Sequence, residues 1–164
     1  MSKFLIDSNF FIQAHRVNYP LDVMPSFWNK VHEMAHNGSI ISIDKVKNEI
    51  YKNEDDLKNW CQSNLPNNFF HNTSIAMREY AAIAGWASSM DSHYKSAALA
   101  EFLHADEADA FLIAYSLNQE IPLITHEKSE PNSKRKIKIP DVCNQFGVRY
   151  HTTIDMLRFL RISI

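Results

Sequence analysis

KFLIDSNFFI, residues 3–12, is apolar almost throughout, yet it carries an aspartate at position 7. Phe4, Leu5 and Ile6 read as a short buried strand, because a brief apolar run at the start of a chain has no partner at helical spacing. A carboxylate placed directly after such a strand is costly unless a positive group meets it. Asp7 therefore implies a cation nearby.

Outward from this stretch, strands and helices alternate. VMPSFWNKVHEMAHNG (23–38) has Phe27, Val31, Met34 and Ala35 at helical spacing, with Pro25 near its start and Gly38 after its end. SIISI (39–43) is a second strand, rich in β-branched residues. Asp44 is placed to cap one helix running through KVKNEIYKNEDDLKNWCQSNL to Pro66. Residues 74–90 and 95–104 are Ala-rich and helical, and DEADAFLIAYSLNQE (106–120) is a further helix. IPLIT (121–125) is a third strand, EKSEPNSKRKIK (127–138) a polar loop, IPDVCNQFG a short helix, VRYHT a last strand and IDMLRFLRI a closing helix. Alternating strands and helices predict an α/β/α three-layer sandwich around a mostly parallel sheet. Ligands of such folds sit beyond the carboxyl ends of the strands, where Asp7 would point.

A chain of 164 residues fits one domain spanning residues 1–164. Its 45% hydrophobic and 22% charged content is that of a packed globular core. The formal net charge of −2 excludes a global basic field, so any nucleic-acid contact must use a local patch. Two cysteines, Cys61 and Cys143, argue against a disulfide framework or a thiolate zinc site and for a cytoplasmic setting. No signal-like leader opens the chain and no apolar run is long enough to span a bilayer, so no membrane is expected.

Four acids share the puzzle of Asp7. Asp109 heads AFLIAYSL, a helix apolar on nearly all sides and therefore central. Asp106 stands three residues earlier on the same face. Glu49 lies between Val46 and Ile50 soon after the second strand, and Glu127 lies two residues past Thr125 at the end of the third. Each has an ordinary alternative: Asp106 as N-cap, Asp109 as first-turn acid, Glu49 paired with Lys45 or Lys52, Glu127 as a solvated loop residue. Taken together, Asp7, Glu49 and Glu127 follow strands and Asp109 heads a buried helix. That order brings four carboxylates to one sheet edge. Such a cluster repels itself unless hard cations fill it, and all-oxygen ligands select Mg²⁺ or Mn²⁺ over zinc.

The succession LIDSNFFI, VKNEI, ADEADAFLIAYSL and IPLITHE resembles the PIN domain, the nuclease fold of VapC-type toxins, over nearly the whole chain. DAFLIAYSL is similar to the family's aspartate-headed helix, D-x-x-[LI]-A, and LITHE to its strand ending [LV]-[LIV]-T-x-[DE]. KIKIPDVCNQFGV resembles a less studied PIN-like subgroup. The resemblance implies an Mg²⁺- or Mn²⁺-dependent endoribonuclease with Asp7, Glu49 and Asp109 as core acids. Glu127 would stand where many members carry Asp, and Asp106 is the reserve metal ligand. It also implies a toxin restrained by an antitoxin protein. Residues 20–35 and 74–103 are candidate docking faces or homodimer faces, or simply core.

Ser8, Asn9 and Thr125 are small polar groups beside the acids, fit either to orient ligands or to serve as turn and strand-end hydrogen bonders. A polyanionic substrate needs cations, and Lys45, Lys134, Arg135 and Lys136 are the candidate RNA contacts, with Lys47, Lys52 and Lys138 nearby. Solvated charge is the plain alternative. Tyr19, Phe27 and Trp28 offer base stacking or core packing, and His15, Arg16 and His126 are further candidates to line the cleft. A haloacid-dehalogenase-type phosphatase would need an acid where Asn9 stands, and a receiver-type domain would need an early acid pair. A non-catalytic PIN-like module that binds RNA or protein is the rival of a different class.

Overall fold

The computed structural model describes residues 2–164. Five short strands, β1 (Phe4–Ile6), β2 (Ile40–Ile43), β3 (Phe70–His71), β4 (Leu123–Ile124) and β5 (Tyr150–His151), form one sheet of order β3-β2-β1-β4-β5. Every pairing is parallel, with Phe4 opposite Ile40 and Leu5 opposite Leu123 across the central β1. All residues of β1, β2 and β4 are buried, which is why these strands read as unbroken apolar runs instead of alternating ones.

Helices cover the sheet: α1 (Ser8–Gln13), α2 (Pro25–His36), α3 (Asp44–Tyr51), α4 (Asp56–Asn64), α5 (Met77–Ser89), α6 (Ser96–Phe102), α7 (Ala108–Gln119), α8 (Ile139–Phe146) and α9 (Thr153–Phe159). With right-handed crossovers, links running toward β3 lay helices on one face and links running toward β5 lay them on the other. The aromatic contacts follow that division. Trp28 of α2 meets Trp60 of α4 at 4.9 Å, whereas Tyr80 of α5 stacks on Phe111 of α7 at 4.2 Å and Trp86 of α5 meets Phe146 of α8 at 6.0 Å. The result is the expected α/β/α sandwich. Helix α7 is its central helix, buried at every position from Ala110 to Ser116.

Two local expectations are corrected. The helix foreseen from Asp44 to Leu65 is two helices, because Asp55 caps a fresh start by accepting from the Lys58 amide at 3.0 Å. Asp44 is not the cap of α3, a place taken by Ile43. Its Oδ1 instead accepts from the Thr73 hydroxyl at 2.9 Å, tying α3 to the 3₁₀ turn Thr73–Ala76. Residues 8–18 form α1 and a π-helical turn, Ala14–Asn18, and β3 is a strand of only two residues. Phe27 and Trp28, candidate stacking residues, are core, at 1% and 2% exposure. Tyr19 packs on Phe27 with ring centroids 4.3 Å apart.

Candidate active site

The strand order reverses direction between β1 and β4, and at such a switch point the loops leaving the two carboxyl ends part to leave a crevice. Asp7 follows β1 and Glu127 follows β4, so the topology alone sets these two acids on either side of it. Asp7 is 2% exposed. Its Oδ1 accepts the Phe10 amide at 3.0 Å as the N-cap of α1, which satisfies an otherwise orphaned donor at the helix start. Burial pushes its pKa to about 7, and the charges of Glu127 and Glu49 push the same way against the backbone hydrogen bond.

Glu49 reaches the site from α3. Its Oε2 accepts the Ser8 hydroxyl at 2.5 Å and its Oε1 accepts the Ala108 amide at 3.2 Å. Helix α7 has Glu107 at its N-cap position with no side-chain cap of its own, so Glu49 supplies the missing acceptor from another element. Asp109, in the first turn of α7, has its pKa raised well above the usual carboxylate value. Burial is the largest cause, followed by Glu107, Glu127, Asp7 and Glu49. Acids from four separate segments thus act on one carboxyl group. Glu107 was not among the sequence candidates, and its own pKa is raised by burial and by Glu49. It lies two residues before Asp109, where a one-residue change in helix start decides which acid faces inward.

Glu127 is pinned from three directions. Its amide donates to the Thr125 hydroxyl at 3.1 Å, its Oε2 accepts the Ile139 amide at 2.7 Å, and its Oε1 pairs with Lys136 Nζ at 3.3 Å. Burial works against the Lys136 ammonium, but Glu127, then Asp109 and Glu101, outweigh it and raise its pKa. Glu101, Glu107, Asp109 and Lys136 line one cleft of about 10 Å³, room for about one water.

The other candidates fall around this centre. Asp106 is exposed, beside Glu49, Glu107 and His104 in an open cleft of about 570 Å³, and its amide donates to His104 Nδ1. It occupies neither the N-cap of α7 nor a place among the charges that raise the Asp109 pKa. Ser8 and Thr125 are buried, and Asn9 is exposed. Lys45 donates to the Ala105 carbonyl at 3.1 Å and lies over the Phe111 ring, while Lys134 and Arg135 are exposed. His126, beside Glu127, is exposed at its rim, and what burial it has lowers its pKa. Arg16 is exposed on the π-helical turn, and the buried His15 Nδ1 has no partner. Another cleft, of about 390 Å³, lies between the C-terminal ends of α7 and α8, at the amino end of β4 and away from the acidic crevice.

Carboxylate oxygens around a crevice are the donor set of a hard divalent cation. The two acids with strongly raised pKa, Asp7 and Asp109, are those a cation would stabilise most. Among the described residues no three carboxylate, imidazole or thiol groups stand close enough to share a metal ion in this conformation. In this conformation Glu127 is turned to Lys136 and Ile139. The donor chemistry, carboxylate oxygens throughout, fits a hard cation. Among the described residues no helix is long and apolar enough to cross a membrane.

A family model described as a domain of unknown function (DUF4411) matches residues 4–164. No curated protein matches the chain in sequence. Among solved structures, the chain is similar to one in a crystal structure of VapBC2 from Rickettsia felis bound to a DNA fragment from their promoter. The similarity covers 91% of this chain and 97% of that one, at 11% identity and a TM-score of 0.52, and it is a likeness of fold.

Proposed function

The chain belongs to the DUF4411 family, and from its acidic crevice we propose that it is a single PIN-like domain acting as an Mg²⁺- or Mn²⁺-dependent endoribonuclease. The observation that supports the reading is that Asp7 and Asp109 are both held above the ordinary carboxylate pKa, by burial first and also by the charges of Glu127 and Glu49. Asp7, Glu49 and Asp109 would hold the cation, with Glu127 completing the set. When bound, the cation supplies an acidified water and offsets the charge that builds on a phosphodiester.

The chain's own residues do the rest. Asp7 stays fixed because its carboxylate is also the α1 cap. Ser8 aims Glu49, and Thr125 holds the backbone of Glu127. Lys134 and Arg135, exposed on the adjoining loop, are available to phosphates outside the crevice. The likeness to a VapBC2 chain supports a role as the toxin of a toxin–antitoxin pair, with a protein partner covering the crevice.

Incubation of single-stranded RNA with the purified protein in Mg²⁺ or Mn²⁺ tests the activity. Cleavage that EDTA abolishes is expected. A second reading, a non-catalytic PIN-like module that binds RNA or protein, is favoured by one observation: Glu127 is already neutralised by Lys136. RNA retained without cleavage at millimolar Mn²⁺ would select it.

A further inference from the structure

Lys136 reaches the crevice on a loop that is fastened at several points. The Ser129 hydroxyl donates to Asp141 Oδ1 at 2.5 Å and the Glu130 amide to Asp141 Oδ2 at 3.0 Å, which ties the start of the loop to α8. The Lys134 carbonyl accepts the Lys95 amide at 2.8 Å, and the Ser133 carbonyl lies 3.1 Å from His93 Nε2, which ties the middle to the chain before α6. Ile137 and Ile139, on either side of Lys138, are 2% and 1% exposed and anchor the end. The position of Lys136 is therefore set by the backbone, and its ammonium is delivered to Glu127 at 3.3 Å. Asp109, Glu101 and Glu107 line the same small cleft. The Lys136 ammonium thus stands among acids drawn from α6, the start of α7 and the loop after β4.

We propose that Lys136 is the resident counter-cation of this crevice, a positioning residue that keeps the Glu127 carboxylate turned toward the loop, and that a divalent cation must displace it to enter. The proposal rests on the metal-site reading above. Lys136 remains 44% exposed at its side chain, so its flexible stem has an open path outward. Glu127, by contrast, is 10% exposed; its Oε2 stays on the Ile139 amide at 2.7 Å, and its Oε1 is the oxygen that the departing lysine releases. The four-residue stretch KRKI would then divide its labour: Lys134 and Arg135 face solvent, and Lys136 faces the acids.

The test is Mn²⁺ titration by calorimetry on the wild type, Lys136→Met, Lys136→Arg, Glu127→Gln and the Lys136→Met/Glu127→Gln double variant, with thermal midpoints in EDTA as the control for folding. Lys136→Met should bind Mn²⁺ roughly fivefold more tightly, because no ion pair with Glu127 then has to be broken, and should melt lower without metal. Lys136→Arg should restore wild-type values. In the Glu127→Gln background, Lys136→Met should change Mn²⁺ affinity far less, because the lysine acts through Glu127. Unchanged Mn²⁺ affinity in Lys136→Met would overturn the proposal, and a raised KM for RNA with that unchanged affinity would make Lys136 a substrate contact instead. Equal effects of Lys136→Met with and without Glu127 would also overturn it. Failure of the wild type to bind Mn²⁺ at all would remove the metal-site reading itself, and the displacement with it.

Discussion

Asp7 ends β1, caps α1 and faces the crevice with one carboxylate, and these roles pull its protonation in opposite directions. The Phe10 amide favours the charged form, while burial and the neighbouring acids favour the neutral one and win. Its pKa is about 7 in the fold against an ordinary 3.8, so the folded chain holds this proton more tightly than the unfolded one. The stabilisation is full below about pH 4 and is lost as pH rises through 7. The metal-free protein should therefore weaken from about pH 4 to pH 7, by up to about 1.4 kcal/mol per pH unit from this group. Asp7→Asn keeps the cap, since Asn caps as well as Asp, and should flatten that slope. Thermal midpoints across this range in EDTA, for both proteins, check it, and parallel slopes would contradict it. Ser8→Ala removes the hydroxyl that aims Glu49 and should weaken Mn²⁺ binding roughly 10- to 100-fold, read by calorimetry.

At the scale of elements, α7 was the most legible part of the chain. AFLIAYSL has no polar face, and only a central helix tolerates that. Leu112, 1% exposed in this helix, should cost about 2–5 kcal/mol when changed to Ala, measured by urea unfolding. The start of α7 was less legible. ADEAD offers three acids within four positions, and pattern alone places a helix start to within one or two residues. The fold starts at Ala108, which turns Glu107 toward Asp109 and leaves Asp106 in solvent. Asp106→Ala should accordingly change stability by no more than about 0.5 kcal/mol, whereas Glu107→Gln should lower the Asp109 pKa, as carbon-detected NMR titration of the carboxyl groups would record. The pairing of Lys136 with Glu127 had no periodic signature either, because it depends on the path of an irregular loop. The break between α3 and α4 did have one, in the capping aspartates of NEDD.

For the whole molecule, one short apolar run followed by an acid implied a strand ending at a ligand edge, and the sheet order β3-β2-β1-β4-β5 puts that edge at the switch point beside β1. β4 and β5 were legible in IPLIT and VRYHT, whereas β3, Phe70–His71, is two residues with no alternation to mark it, so the far edge of the sheet was not. Among the described residues no ion pair reaches Asp7, and the Lys136 ammonium in the crevice pairs with Glu127. The buried carboxyl groups of Asp7 and Asp109, each raised further by the acids around it, are the physical basis of the metal-nuclease account. Its most direct test is the rate at which wild type and Asp7→Asn, both folded by circular dichroism, cut an end-labelled single-stranded RNA in Mn²⁺. The account predicts EDTA-sensitive cleavage by the wild type and a loss of at least about 100-fold in the variant, the size of effect that follows removal of one charge-stabilising group from an active site. Cleavage by Asp7→Asn at the wild-type rate would contradict it.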